Sequence, residues 1–390
     1  MTEIIVSAPG KIILHGEHSV VYGRSAIACS LNIRTYLKLS QTKDERVSLV
    51  FPDIDLTQSW SLEDVNSIQL PQGCENLNPK PPTEDVIKQL KTIAGSGETE
   101  IGNTASIVFL YIYLYLCKNR KQGIELKVKS ELPIGAGLGS SAGFSVCLSS
   151  AFLILTGNVS TPGSDNIWKS DDLELINRWA FIGETLNHGT PSGIDNSIAT
   201  YGKAIKLKSG TVHKLDKIPN LRILLINTKI PRCTKDLVAG VRRKYEMYED
   251  IVTPVLNSME AIVRRCEAVF SDMTGNHGDV TSCYKKLKDL IDMNHDLLRF
   301  LGVSHPSLEI ICKTCQQYGL HCKLTGAGGG GCAFCLISPE TTEETLQTIE
   351  TKLKKQNFEC WETSVGGNGV MCHDPACGTI SSIPDFLKTT

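Results

Sequence analysis

The sequence lacks three features that would direct a chain to a polyanion or a membrane: a surplus of charge, a secretory signal and a long apolar run. Lys and Arg number 40 against 42 Asp and Glu, so the formal net charge is only −2. This balance gives no electrostatic reason to expect nucleic acid or an anionic membrane as a partner. The first residues, MTEIIVSAPGK, have no charged segment followed by an apolar one. We therefore expect a cytoplasmic protein, with an association with peroxisomes left open.

The longest apolar run is IVFLYIYLYLC, residues 107–117. A helix that crosses a membrane needs roughly 20 apolar residues, so this run predicts a buried core helix. Hydrophobic residues make up 41% of the chain and charged residues 21%, as in globular proteins. The length of 390 residues suggests two domains.

The 15 cysteines occur without a secretory signal, which predicts reduced thiols. Cys312, Cys315, Cys332 and Cys335 match the spacing of a zinc ribbon. Cys332 and Cys335, however, lie in the strand-like run GCAFCLI, where residues three apart point to opposite faces. Structural zinc therefore remains the less favoured alternative for this segment.

A glycine-rich stretch, ELPIGAGLGSSAGFS at residues 131–145, has the pattern of a loop that holds a phosphate group. Glycines allow the backbone to approach an anion and to adopt positive φ. The start of the following helix would add unpaired N–H donors and the positive end of its dipole. No Gly-Lys-Ser/Thr follows, which excludes a Walker A loop. Two alternatives stay open: a dinucleotide fold, through the match of Gly137, Gly139 and Ala142 to G-x-G-x-x-A, and a turn that only packs.

The apolar patterns predict strands on either side of a Pro9-Gly10 turn near the N-terminus and variable connecting structure with some helix over residues 41–100. They also predict a helix that begins at Thr234 as its cap. Strands dominate the N-terminal half and helices the C-terminal half. We expect an N-terminal domain over residues 1–228 and a C-terminal domain over residues 229–390.

Three motifs resemble those of the GHMP small-molecule kinases and occur in the family's order. They are PGK…HGEH…VVYG at residues 9–23, P-x-x-x-GLGSSA at residues 133–142 and KLTGAGGGGC at residues 323–332. The resemblance implies an α+β fold of two domains with the active site in the cleft between them. The N-terminal domain would be similar to domain 2 of ribosomal protein S5 and the C-terminal domain would be a ferredoxin-like α/β unit.

The resemblance also implies roles for particular residues. Asp195 would be the catalytic base, and Lys11 would stabilise the developing alkoxide and contact ATP. Ser141 and Glu184 would hold Mg²⁺, which suits hydroxyl and carboxylate oxygens. Mevalonate-facing positions would be Glu17, His18, Ser192 and Thr234. The ATP-binding loop would comprise Pro133, Gly135, Ala136, Gly137, Leu138, Gly139, Ser140 and Ser141.

Within the family, the segments KIILHGEHSVVYG, HGTPSGIDNSIATYG and PRCTKDLVAGVR are most similar to the members that act on mevalonate. The implied reaction transfers the γ-phosphoryl group of ATP to the 5-hydroxyl of mevalonate, an early step of isoprenoid and sterol biosynthesis. Inhibition by isoprenyl diphosphates and a homodimer are further expectations. The alternatives are a related kinase for phosphomevalonate or a sugar, an NAD-dependent dehydrogenase, and a zinc-ribbon interaction module.

Overall fold

Two long antiparallel strands, β1 (Glu3–His15) and β2 (Ala26–Gln41), lie at the centre of the fold. The computed structural model describes residues 3–70, 77–95, 99–118, 120–163, 165–189, 191–215, 217–275, 278–373 and 383–388. Strand β1 is buried along nearly its whole length. Its one lysine, Lys11, is therefore also buried, at 8% exposure.

The other strands and the helices follow in chain order. The strands are β3 (Arg46–Phe51), β4 (Leu56–Ser61), β5 (Ile124–Ser130), β6 (Ala204–Lys208), β7 (Thr211–Leu215), β8 (Leu221–Asn227), β9 (His321–Leu324), β10 (Cys332–Leu336), β11 (Glu359–Val365) and β12 (Met371–His373). The helices are α1 (Leu62–Ser67), α2 (Glu84–Ala94), α3 (Glu100–Cys117), α4 (Ser140–Leu155), α5 (Ser170–His188), α6 (Ile194–Tyr201), α7 (Thr234–Met247), α8 (Glu249–Thr274), α9 (Val280–Leu301), α10 (Pro306–Gln316), α11 (Glu343–Lys354) and α12 (Asp385–Lys388).

The strands form one mixed sheet, mostly antiparallel, in the order β4-β3-β5-β2-β11-β8-β10-β9. Strand β1 pairs with β2 and β12, and β6 pairs with β2 and β7. The glycine-rich loop follows β5, which is antiparallel to β2. A dinucleotide fold requires a parallel, doubly wound sheet, so that alternative is wrong. An α+β architecture, as predicted, is what the chain adopts.

Helices α3 and α4 form the core of the N-terminal half. Helix α4 packs against β1, β2, α3 and α5, and its run of small and apolar residues allows these close approaches. Helix α3 is the one described helix long and apolar enough to cross a membrane, and 61% of its apolar window is buried inside the protein. Its residues 108–114 are all buried, which confirms the predicted core helix.

Three local predictions were wrong. Strand β1 does not turn at Pro9 and Gly10 but continues through them with a register shift. A Cβ on Gly10 would lie 2.9 Å from the Leu138 oxygen, so this glycine permits a close approach instead of a turn. Residues 41–100 contain helices α1 and α2, as predicted, but also the hairpin of β3 and β4, which the polar composition concealed. Thr234 is the first residue of α7, and Cys233 occupies the N-cap without a side-chain hydrogen bond.

The domain boundary predicted at residues 228 and 229 remains a prediction. Strand β8 ends at Asn227 and pairs with β10 and β11, which come from the C-terminal half of the chain. The two halves are joined through the sheet where Val365 of β11 pairs with Leu31 of β2.

Cys322 and Cys335 lie opposite each other on β9 and β10 and form a disulfide, with Cα atoms 4.1 Å apart. The prediction of reduced thiols is therefore wrong for this pair, and the other described cysteines are free. Cys332 and Cys335 contribute to different core clusters on opposite faces of β10, as the strand pattern predicted. Cys335 is bonded to Cys322 and lies on the face of β10 opposite Cys332, so the four cysteines of the ribbon spacing do not converge on one metal site.

Candidate active site

The glycine-rich loop connects β5 to α4 and has the backbone of an anion-binding turn. Gly135, Gly137 and Gly139 have φ of 72°, 74° and 81°, a region that favours glycine. Ala136 and Leu138 alternate with them and are buried in a core cluster, which anchors the loop. In the described structure no side chain caps α4, so the N–H groups of its first turn are available to an anion.

Strand β1 brings Lys11 to this loop. The Lys11 N–H donates to the Leu138 carbonyl at 2.8 Å. A Cβ on Gly139 would lie 3.1 Å from Lys11 Cγ, so the lysine side chain runs directly along the loop. Its Nζ lies 3.2 Å from Oδ1 of Asp195. The predicted pair of catalytic residues is therefore in contact, beside the loop predicted to hold phosphate.

Asp195 lies in the first turn of α6, after Gly193 at the N-cap with φ of 77°. Its side chain is 35% exposed, whereas that of Lys11 is 10% exposed. The carboxylate thus faces the open side of the site while the lysine approaches it from the interior. A carboxylate in contact with a buried cation and open on its other side suits the acceptance of a proton from an alcohol.

Glu184 on α5 meets two hydroxyls from α4. The Ser141 Oγ donates to Glu184 Oε2 at 3.2 Å, and the Ser145 Oγ donates to Oε1 at 3.4 Å. His188, one turn further along α5, has its Nε2 3.4 Å from the Ser141 Oγ. Burial, followed by the charge of Asp195, raises the pKa of Glu184 to about 8.

A divalent cation fits these residues. Burial disfavours the ionised carboxylate of Glu184, and a cation on its oxygen side would stabilise it. Hydroxyl and carboxylate oxygens are hard donors, as magnesium and calcium prefer. Ser141 belongs to the first turn of α4, so a cation at this position would also lie next to the anion-binding loop.

Sequence reasoning missed Arg232. Its guanidinium donates to the Ala136 carbonyl at 3.1 Å and to the Thr325 carbonyl at 3.3 Å. It lies so close to Gly137 that a Cβ there would be 1.5 Å from its Nη2. Burial lowers the pKa of Arg232, and nearby Cys332 and Asp195 oppose this. The segment PRCTKD carries part of the family resemblance, but the sequence around Arg232 does not indicate that its guanidinium contacts two distant loops.

The first and third motifs lie against each other. The Nε2 of His18 is 2.9 Å from the Ala327 carbonyl, within the turn after β9. Glu17 is 1% exposed and pairs with Lys323, which is fully buried. Its carboxylate therefore lies behind the site rather than on its surface. Whether it contacts a substrate remains a prediction.

The last two predicted substrate residues are at the surface. Ser192 is exposed and its Oγ accepts from the Ile194 N–H at 3.4 Å, just before Asp195. Thr234 is exposed and follows Arg232 by two residues at the start of α7. Both flank the group formed by Lys11, Asp195 and Arg232, and their roles remain predictions.

An apolar groove begins at the start of α4. Its walls come from β3, the turn after it, α3 and α4, and a few polar side chains stand at one end. The lining residues are Phe51, Ile54, Ile101, Thr104, Ala105, Val108, Ile134, Ser140, Ser141, Phe144, Ser145 and Asn187. A planar or extended apolar group attached to a phosphate at the loop could occupy it.

Comparisons with known proteins agree with this geometry. The family model described as "GHMP kinases N terminal domain" matches residues 107–203, and the one described as "GHMP kinases C terminal" matches residues 279–358. The mouse protein named "Mevalonate kinase" is 43% identical over 384 residues, 96% of each chain. The protein of that name from Candida albicans is 38% identical and covers 94% of this chain and 89% of its own.

Solved structures share the fold. The Leishmania major mevalonate kinase in complex with R-mevalonate has a TM-score of 0.69 at 24% identity, covering 95% of this chain and 97% of its own. The Lactococcus lactis galactokinase complexed with galactose has a TM-score of 0.65 at 18% identity, covering 95% of both chains. At these identities the likeness shows the two-domain α+β fold alone, which confirms that prediction. The sequence relatives establish that the chain belongs to the mevalonate kinases of the GHMP kinase family.

Proposed function

We propose that this protein transfers the γ-phosphoryl group of ATP to the 5-hydroxyl of mevalonate, giving 5-phosphomevalonate and ADP. The observation that carries the proposal is the 3.2 Å contact of Lys11 with Asp195, beside a glycine loop and an uncapped helix start. Relatives named mevalonate kinase support the choice of substrate, at 43% identity for the mouse protein.

Asp195 accepts the proton of the substrate hydroxyl as the oxygen attacks the γ-phosphorus. The Nζ of Lys11 stabilises the negative charge that develops on this oxygen. The loop N–H groups and the start of α4 bind the phosphates and orient the terminal one. Arg232 donates to the Ala136 carbonyl of the same loop, which supports a role in keeping this loop in position around the nucleotide.

Ser141 and Glu184 would hold Mg²⁺ beside the phosphates. The ion would supply positive charge to the triphosphate, which phosphoryl transfer requires more than covalent chemistry. His18, Ser192 and Thr234 would contact mevalonate from the rim of the site. Glu17, whose two oxygens are engaged inside the protein, would act on the substrate indirectly.

A coupled assay of ADP release tests the proposal. The purified protein is supplied with ATP, Mg²⁺ and one of mevalonate, phosphomevalonate or galactose. We expect turnover with mevalonate and only background with the other two. Preferred turnover of phosphomevalonate or galactose would assign the site to another GHMP kinase activity.

We also propose that isoprenyl diphosphates inhibit the protein by competing with ATP. The loop and the start of α4 accept any diphosphate, because backbone N–H groups do not distinguish one from another. The apolar groove that begins at Ser140 and Ser141 would take the adenine of ATP or a prenyl tail. Each buried methylene contributes up to about 0.8 kcal/mol until the groove is filled.

Steady-state inhibition at varied ATP and fixed mevalonate tests this. Potency should rise from geranyl to farnesyl diphosphate and then level off, and the free prenyl alcohols should be weak inhibitors. Inhibition that ATP does not relieve would contradict a shared site. Equal potency of the alcohols would show that the loop is not involved.

A homodimer and a cytoplasmic location complete the proposal. Large apolar side chains are exposed at Met247, Tyr248 and Ile251, around the junction of α7 and α8, which supports a contact between chains. Light scattering after size-exclusion chromatography tests the dimer, and fractionation of cells tests the location. A monomer, or recovery with a membrane or peroxisomal fraction, would overturn the respective statement.

A further inference from the structure

Two opposite charges lie buried together behind the first motif. Lys323 on β9 is fully buried, and Glu17, just after β1, is 1% exposed. The Lys323 Nζ contacts Glu17 Oε1 and donates to the Leu324 carbonyl at 2.8 Å. Glu17 Oε2 accepts from the Asn294 Nδ2 on α9 at 3.3 Å. Both carboxylate oxygens are therefore engaged inside the protein.

Stability alone does not explain this pair. Removing two charges from water costs as much free energy as their attraction returns, so apolar residues of similar size are often as stable. Burial lowers the pKa of Lys323, and Glu17 opposes this shift. The ring of Phe334 lies 5.2 Å from the Nζ, which adds a cation–π contact. The location of the pair is more informative than its energy.

The pair joins the turn after β1 to strand β9. Two further contacts link β1 and this turn to the residues that follow β9. Thr325 Oγ1 accepts from the Ile13 N–H and donates to the Ile13 carbonyl, both at 2.9 Å. The Nε2 of His18 lies 2.9 Å from the Ala327 carbonyl. Consequently the C-terminal half holds the first motif at three successive points.

The turn that contains Glu17 has an unusual backbone conformation. Gly16 has φ of 94°, and a Cβ there would lie 2.3 Å from the Ser25 carbonyl oxygen. His18 has φ of 60°, which is uncommon for a residue with a side chain. Such a conformation persists where the surroundings enforce it. Glu17 lies between these two residues, and its side chain is held in place by the ammonium group of Lys323.

We propose that Lys323 is a positioning residue for mevalonate, which holds Glu17 from behind and so fixes His18 at the rim of the site. The inference rests on the proposed function, because His18 is a substrate residue only if mevalonate is the substrate. Glu17 acts through the turn rather than by touching the substrate. Lys323 and Glu17 thus make one unit that couples the third motif to the substrate side of the site.

Four variants test this: Lys323→Met, Glu17→Gln, the double variant with both changes, and Lys323→Arg. Lys206→Met is the matched control, because Lys206 forms a partly buried ion pair with Glu267 on α8 at 2.9 Å. The measurements are the KM for mevalonate and for ATP, kcat, calorimetric binding of mevalonate and the melting temperature.

We expect Lys323→Met to raise the KM and the Kd for mevalonate about tenfold or more, a loss of about 1.4 kcal/mol. The KM for ATP should stay within about twofold of wild type, a change of less than 0.5 kcal/mol. The melting temperature should fall, because Glu17 is left buried without its cation. The double variant should regain the melting temperature but not the affinity for mevalonate. Lys323→Arg should recover part of that affinity, and Lys206→Met should match wild type.

A purely structural role predicts a different result. The double variant would then regain mevalonate affinity together with its melting temperature, and this outcome would overturn the proposal. An unchanged KM in Lys323→Met would overturn it as well. If Lys323→Met does not fold, the double variant decides the question alone. Failure of the proposed function is separate, because it would appear as absent mevalonate turnover by the wild-type protein.

Discussion

The chain has two glycine-rich loops that look alike in sequence but differ in the space around their glycines. The first, residues 133–139, precedes α4, and the second, residues 325–331, connects β9 to β10. Glycines in both have positive φ. A Cβ on Gly135 would meet no described protein atom within 4 Å, whereas one on Gly328 would lie 2.0 Å from the Val303 carbonyl oxygen.

The difference separates two uses of glycine. In the first loop Gly135 keeps the backbone accessible to a ligand, while the side chains of Arg232 and Lys11 approach Gly137 and Gly139. In the second loop the glycines meet the protein itself, for example Ile230 at Gly330 and Leu237 at Gly329. The second loop is thus a packed turn that supports the site, while the first is where an anion would bind.

If phosphoryl transfer takes place at the first loop, the largest loss of activity should come from replacing Asp195, the proposed base beside this loop. Asp195→Asn should lower kcat about 10²–10⁴-fold, because the amide cannot accept the proton of the alcohol. Binding of ATP, measured by calorimetry, should persist. Asp165→Asn is the matched control, since Asp165 lies on an exposed loop and should leave kcat unchanged. An Asp195→Asn variant with most of its kcat would remove this residue from the mechanism.

Sequence reasoning found the first loop by its local pattern, and it selected Lys11, Asp195, Ser141 and Glu184 through the resemblance to a kinase family. The structure brings these residues together at contact distance. Arg232 and Lys323 lie in segments that carry the resemblance, but sequence reasoning assigned neither an individual role, since their partners Ala136 and Glu17 are 96 and 306 positions away. Nothing near such residues in the sequence reports a contact formed only by tertiary folding.

The same limit explains the errors in the fold. The run RVSLVF alternates as a strand should, but its partner β5 begins at Ile124, beyond three α-helices. Pro9 and Gly10 predict a turn by composition, yet β2 pairs along both sides of them and the strand continues. At Pro9 and Gly10, local propensity is overridden by pairing with another strand.

The second loop should show the larger loss of stability. Gly328→Ala should lower the free energy of unfolding by about 3 kcal/mol, since a left-handed residue is strained and its Cβ would displace backbone. Gly319→Ala is the matched control, because Gly319 also has positive φ but no atom within 4 Å of a Cβ. Chemical denaturation measures both. Equal losses would mean that the second loop is not tightly packed.

Arg232 is the described side chain that touches glycines of both loops, at Gly137 and Gly326. Arg232→Met should lower kcat/KM for ATP about 10–100-fold, because hydrogen bonds from a charged group contribute about 1.5–3 kcal/mol. Arg232→Lys should recover little, since an ammonium group cannot span two carbonyls as a guanidinium does. Arg243→Met, at an exposed position of α7, serves as the control. A variant with normal kcat/KM and lowered stability would make Arg232 a structural link only.

The smallest expected change in stability is at Gly135, and it decides the comparison most directly. Gly135→Ala should cost about 1–2 kcal/mol, the strain of a left-handed residue alone, and should match Gly319→Ala in denaturation. The new Cβ has no protein neighbour within 4 Å, so it should interfere with the ligand instead. We expect a higher KM for ATP and an unchanged KM for mevalonate, because the methyl group narrows the phosphate loop and not the substrate rim. A loss of stability as large as that of Gly328→Ala, or an unchanged KM for ATP, would show that the two loops do not differ in the way proposed.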